Sequence, residues 1–166
     1  MPESETRQLI IFRVGPESFV LDIQPMVQII SYRSPTPVPR APSFIEGIIV
    51  LRNQVVPVLN LQSRLFPDET VRDPRPKILI VRIQGQVVGF KVESVHRIIM
   101  VEEKDILPPP PKLAGLDVSF LKGVVHVNDD VFLYLDINRM LSPEEMDLLK
   151  KSRALTPKGG AHVSAS

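Results

Sequence analysis

The chain has 166 residues, 43% of them hydrophobic, enough to bury a full-sized core in one domain without disulfide or metal staples. Twenty Lys and Arg stand against 19 Asp and Glu, so the formal net charge of +1 builds no field to hold a polyanion. Cysteine is absent, which excludes disulfides, thiolate metal sites and cysteine nucleophiles.

Seventeen prolines divide the chain into short extended segments and disfavour long helices, and aromatic residues make up only 5%, with no Trp. The opening Met-Pro-Glu-Ser-Glu-Thr-Arg has no apolar leader segment, and no later run approaches the roughly 18 apolar residues of a membrane span. A cytoplasmic, mostly β protein is expected.

Residues 9–14 form a β-branched apolar run that predicts a buried strand. Gly15-Pro16-Glu17-Ser18 supplies a turn, and Phe19-Val20-Leu21 completes a hairpin. A turn at Gln24-Pro25 leads to a strand over 26–32, followed by the extended, proline-rich connection 35–39. One helical turn is expected over 43–46. Residues 48–51 and 55–59 then flank Arg52-Asn53-Gln54 as a second hairpin, and Pro57, lacking a donor, predicts an edge or bulged strand. Asn60 caps a short helix to Phe66, and 67–76 reads as a surface loop.

The second half opens with a hairpin, 77–83 and 87–90, turning at Gln84-Gly85-Gln86, and extends as a strand over 92–101. A turn over 102–105 and four prolines, 108–111, form a stiff connection to about residue 119. Residues 123–127 and 131–135 make the last hairpin across Asn128-Asp129-Asp130, and 136–141 predicts another short helix. Ser142-Pro143-Glu144-Glu145 is a capping box opening a terminal helix over 142–151, and the tail 154–166 is expected to be disordered.

The two halves repeat each other. Residues 12–30 lie over 81–99 without a gap, placing Arg13 on Arg82, Ile23 on Val92, Met26 on Val95 and Ile29-Ile30 on Ile98-Ile99. Residues 44–65 lie over 120–141, placing Gly47 on Gly123 and Asn60 on Asp136. Each half holds about five short strands and one small helix, the material of a small SH3-like barrel. The fold class is therefore all-β with short helices: two five-stranded SH3-like barrels related by duplication, with a C-terminal helix. Subdomain one is placed at about 7–66 and subdomain two at about 77–141. Equivalent apolar positions facing each other across the seam would line a groove; the same periodicity also fits two filled cores.

Catalytic and cofactor motifs do not stand out. The sequence has no Gly-x-Gly-x-x-Gly, Walker loop, His-Glu-x-x-His or Gly-x-Ser-x-Gly. His96 and His126 fall in predicted strands and His162 in the tail, without a second histidine at ligand spacing, so no metal or cofactor is expected. Asp129 and Asp130 are explained by turn chemistry, and Arg52, before its own hairpin tip, is either a solvated turn residue, a partner's anchor or the pair of an acidic group on a neighbouring strand. The dispersed basic residues and the lack of stacking aromatics argue against nucleic acid.

Residues 37–61, Pro-Val-Pro-Arg-Ala-Pro-Ser-Phe-Ile-Glu-Gly-Ile-Ile-Val-Leu-Arg-Asn-Gln-Val-Val-Pro-Val-Leu-Asn-Leu, resemble the CheW-like domain of bacterial chemotaxis coupling proteins. Val92-Glu-Ser-Val-His-Arg-Ile-Ile, Ile106-Leu-Pro-Pro-Pro and Leu121-Lys-Gly-Val with Leu135-Asp-Ile-Asn follow that family's second half, and the likeness spans about 7–150 as a single domain. The resemblance implies a non-enzymatic adaptor at membrane-associated receptor arrays, joining the cytoplasmic tip of methyl-accepting chemoreceptors to the regulatory domain of a CheA-type histidine kinase. It implies a receptor groove lined by Ile10, Ile23, Met26 and Val95, and kinase docking through Val55, Val56, Val58, Val131 and Leu133. Gln28 stands where many members carry a glutamate thought to pair with the arginine matching Arg52; Val50, Asn53 and Asn60 also depart from the family pattern. The alternatives are the same scaffold in a surface-motility or other pathway, or a double barrel binding a small ligand or nucleic acid.

Overall fold

The computed structural model describes residues 6–41, 45–66, 75–113 and 115–150. In chain order the strands are β1 (Thr6–Val14), β2 (Glu17–Asp22), β3 (Met26–Ser31), β4 (Ile45–Leu51), β5 (Gln54–Asn60), β6 (Lys77–Ile83), β7 (Gln86–Val92), β8 (Ser94–Glu102), β9 (Ile106–Leu107), β10 (Leu121–Val127) and β11 (Asp130–Leu135). Helix α1 (Leu61–Leu65) follows β5, short 3-10 turns flank β9 and β10 and follow β11, and a helix α2 spans 143–150. The predicted hairpins all form. Ile45 and Glu46 open β4 instead of ending a helical turn, while 42–44, most of the loop over 67–76 and the tail 154–166 lie outside the described residues.

The strands build two sheets, ordered β8-β1-β2-β11-β10-β9 and β3-β6-β7-β5-β4. These orders cut across the halves of the sequence. The opening hairpin β1–β2 lies in the sheet of β8 to β11, and β6–β7 lies with β3 to β5. The repeat is obeyed except that β9 is matched only by the isolated bridge at Thr36, and each half lends its first hairpin to the other. The division expected at 7–66 and 77–141 is thus corrected: one subdomain is β3 to β7, the other is β1, β2 and β8 to β11. Parallel pairing of β2 with β11 and of β5 with β7 makes the exchange.

Strand β5 is interior in this order although it contains Pro57. Pro57 opposes Ile48 on β4, while pairing to β7 begins only at Val58, so the missing N–H falls where one neighbour has not yet arrived.

The apolar runs lack alternation because both faces of these strands are buried. On β1, Leu9 and Ile11 fill the six-stranded barrel while Ile10, Phe12 and Val14 point the other way. On β6, Ile78 and Ile80 fill the five-stranded barrel while Leu79, Val81 and Ile83 join Phe12 and Phe19 between the sheets. The largest cluster is this shared layer, which also takes Phe66, Phe90, Leu135, Met146 and Leu149. The seam between subdomains is mostly filled.

Both barrels close in the same way. After β3, Thr36 bridges to Ile48 on β4, and after β8 the chain turns through 103–105 so that β9 pairs with β10. At each closure a glycine lies beneath the crossing backbone: a Cβ on Gly47 would stand 2.6 Å from the Thr36 carbonyl oxygen, and one on Gly123 would stand 2.8 Å from that of Leu107. The match of Gly47 with Gly123 is a steric requirement.

The predicted caps form. Asn60 accepts from the Gln62 and Ser63 N–H groups, and the Ser142–Glu145 capping box is reciprocal. Arg64 of α1 holds Glu145 through two parallel bonds of 2.9 and 2.7 Å, fastening α2 against the shared layer. Burial works against the Glu145 charge, but the Arg64 fork and Ser142 overrule it and keep the carboxyl below its usual range.

Candidate docking site

The turn between β2 and β3 is where the chain leaves one sheet for the other. Backbone bonds hold it on both sides: Ile23 N–H donates to the Gln8 carbonyl, and Arg82 N–H to that of Pro25. An open depression lies on each side of the turn. One is lined by Arg7, Gln8, Asp22, Ile23, Gln24 and Met100, the other by Pro25, Met26, Val27, Arg82, Lys122 and Ile137, with Asp22 and Gln24 also on its wall.

Beneath the turn runs a polar chain. The Tyr134 hydroxyl donates to Asp22 at 2.7 Å and accepts from Arg7 at 3.1 Å; Arg7 also bonds Glu103, and Lys122 pairs with Asp22 at 3.1 Å. Lys122 lies 4.7 Å from the centre of the Tyr134 ring. The other barrel holds the counterpart with charges reversed. Lys91, which the repeat places on Asp22, lies 4.0 Å from Glu46, which the repeat places on Lys122; Tyr32 donates to Glu46 and its ring lies under Lys91 at 4.7 Å.

Burial, reinforced by the bond to Asp22 and opposed by Arg7, drives the Tyr134 hydroxyl far above its ordinary range; burial and Glu46 raise that of Tyr32. Folding favours the neutral phenols, so their stabilisation is complete below the unfolded value of about 10 and is lost as pH rises through the raised folded values. The chain has two tyrosines and no Trp, so a phenolate absorbance titration reads them without interference. We expect Tyr32 to ionise first and Tyr134 only as the fold opens. A single step at about pH 10 carrying both amplitudes would contradict the network.

The expected receptor residues divide. Ile23 and Met26 are half-buried on the crossing turn and beside it, and Val95 is half-buried opposite Phe12 on the rim of the shared layer. Ile10 is 5% exposed and faces into that layer, so its place in a groove lining is corrected: the seam that would have exposed it is packed. Of the expected kinase residues, Val56 and Val58 fill the five-stranded barrel and Leu133 the shared layer, which removes them from any surface. Val55 is half-buried and Val131 is 56% exposed.

Gln28 lies on strand β3 and Arg52 at the β4–β5 tip, on the two edges that the closure of the five-stranded barrel brings together, and among the described residues no hydrogen bond or ion pair joins them. Arg52 and Asn53 both take positive φ, 52° and 65°, as a tight hairpin turn demands. Missed by the sequence reading were Val27 and Ile29 on β3 and Ile98 and Met100 on β8, all exposed. The repeat offered the signal, since Ile29 and Ile98 occupy equivalent positions on equivalent edge strands. Among the described residues no cluster of His, Asp and Glu could hold a metal, and no helix is long and apolar enough to cross a membrane.

Two similar barrels over one shared core, with a crossing turn between open depressions, make a double-barrel module with a candidate docking face. Comparison with known proteins gives its family: the CheW-like domain matches residues 8–145, and the chain belongs to that family. It is 30% identical over 141 residues to the chemotaxis protein CheW of Rhizobium meliloti, covering 85% of this chain and 91% of that one. It is 31% identical over 143 residues to protein FrzA of Myxococcus xanthus, covering 84% and 86%. Among solved structures, the scaffolding protein TtCheW of Thermoanaerobacter tengcongensis superposes with a TM-score of 0.75 at 31% identity, covering 83% of this chain and 94% of that one.

Proposed function

We propose that this protein is a non-enzymatic cytoplasmic adaptor that couples the helical tip of a methyl-accepting chemoreceptor to the regulatory domain of a CheA-type histidine kinase at membrane-associated arrays. The carrying observation is the crossing turn, whose Ile23 and Met26 stand between two depressions beside exposed Val27 and Met100. A helix laid along it gains apolar contacts on both sides of a rigid ridge. Val95, half-buried on β8 opposite Phe12, adds apolar surface at the rim of the shared layer, and the kinase contact falls to one of the two hairpin faces, that bearing Val55 or that bearing Val131. A surface-motility or other output remains the alternative within this reading, set by the cognate receptor and kinase.

Calorimetry tests this with the full chain, a receptor-tip fragment and the kinase regulatory domain. Saturable binding to both is expected, with negative heat-capacity change. Met26→Asp should weaken the receptor fragment at least about tenfold, equivalent to ~1.4 kcal/mol, and leave kinase binding intact. Silence towards both partners in a folded sample would sink the adaptor reading.

A further inference from the structure

Each crossing from one sheet to the other begins at a charged residue. Asp22 ends β2 and precedes the turn to β3; Lys91, its repeat equivalent, stands one residue before the end of β7 and the short crossing to β8. Each pairs with an opposite charge beside a closure glycine, Lys122 next to Gly123 and Glu46 next to Gly47, and each pair has its tyrosine. A neutral phenol donates to a carboxylate and never to an ammonium, so the reversal of charge decides which member of the pair the tyrosine holds. Tyr134 donates at 2.7 Å to Asp22, where its crossing starts, whereas Tyr32 donates at 3.4 Å to Glu46 on the hairpin strand β4. The crossing held by the phenol is also the one that reaches the surface: Ile23 is half-buried, while Val92, its repeat equivalent, is 1% exposed.

A buried turn is held by its packing, whereas an exposed one has few apolar contacts and opens locally unless it is fastened. Asp22 lines both depressions and is held from two strands, by the Tyr134 hydroxyl on β11 and by Lys122 on β10 at 3.1 Å. Arg7 on β1 donates to the same hydroxyl at 3.1 Å, which leaves the phenol proton for Asp22. Two backbone bonds, from Ile23 N–H to the Gln8 carbonyl and from Met26 N–H to the Ile23 carbonyl, carry that position on to the apolar residues of the turn. Resting on the adaptor reading, we propose that Tyr134 is a positioning residue for receptor docking: it fixes Asp22 and so presents Ile23 and Met26 in the geometry that the receptor helix binds. Tyr134 itself is 1% exposed and out of a partner's reach. Without it the turn would have to be ordered as the helix docks, at the expense of affinity.

The test compares Tyr134→Phe with Tyr32→Phe in the full chain. Each removes one hydroxyl from one network, so both should lower the urea midpoint. Only Tyr134→Phe should weaken a receptor-tip fragment in calorimetry, by about fivefold, with the kinase regulatory domain bound as before. Asp22→Asn keeps an acceptor for the hydroxyl while dropping the ion pair, and should lose only about twofold. Hydrogen exchange reads the positioning in the free protein: the Ile23 and Met26 amides should exchange about tenfold faster in Tyr134→Phe and at the wild-type rate in Tyr32→Phe. Unchanged receptor affinity or unchanged Ile23 exchange in Tyr134→Phe would overturn the proposal and leave the adaptor reading standing. So would an equal loss of affinity in Tyr32→Phe, or a larger one in Asp22→Asn, which would place the hold on Lys122. A folded wild type that binds no receptor fragment overturns it together with the receptor half of that reading.

Discussion

Replacing Gly47 with alanine should keep the five-stranded barrel from closing. The added Cβ would meet the Thr36 carbonyl oxygen at 2.6 Å, the Thr36 carbonyl carbon at 2.9 Å and Pro35 Cβ at 2.8 Å. Two of these are backbone atoms, and Thr36 is held by paired N–H···O bonds to Ile48 of 2.8 and 2.9 Å, so neither side yields cheaply. A loss of about 3 kcal/mol is expected, at the upper end of overpacking costs. Urea denaturation reads it as a lower midpoint. Gly85→Ala is the control: its site is open, with nothing within 4 Å of an added Cβ, and only its φ of 81° is penalised, at about 1–2 kcal/mol. Equal losses in the two variants would mean that crowding beneath the closing strand is not what Gly47 relieves.

Phe19→Ala should weaken both subdomains at once. Phe19 belongs to the six-stranded sheet, is fully buried, and stacks 5.9 Å from Phe12 and edge-on 6.2 Å from Phe66, which follows α1. Truncating a buried Phe costs about 3–5 kcal/mol, a large share of the roughly 5–15 kcal/mol that holds a domain. Because the side chain lies in the layer between the sheets, one transition is expected to persist at the lower midpoint. Tyr32 and Tyr134 report on opposite subdomains, so their near-ultraviolet signals should move together. Separate midpoints for the two would show that the shared layer does not couple them.

What was legible in the sequence was mostly local. Turn residues such as Gly15 and Asn53, the caps Asn60 and Ser142, and the two repeat blocks each encode their structure within a few positions or by self-similarity, and they placed hairpins and helices correctly. The exchange of first hairpins was not legible. Strand pairing between β2 and β11 is set by contacts over a hundred residues apart, and a strand buried on both faces gives the same apolar run whichever sheet it enters. The same ambiguity misplaced Ile10, Val56, Val58 and Leu133, since an unbroken apolar run does not say which residues stay at the surface. Ile23 and Met26 were easier, because they flank a Gln-Pro turn that interrupts the run. The reversed pairs Asp22–Lys122 and Glu46–Lys91 were in principle readable from the repeat, but only once it was known that the two blocks meet.

The exchange of hairpins also bears on ancestry. A chain of half this length, carrying one copy of the repeat, would leave its first hairpin without a sheet and β3 and β5 without the hairpin that joins them. Two such chains would satisfy both by trading hairpins about a two-fold axis, the logic of a swapped homodimer. Fusing them end to end lifts the requirement that the halves be identical. Each can then mutate alone, which is how one tip becomes cationic and its twin anionic within a single polypeptide.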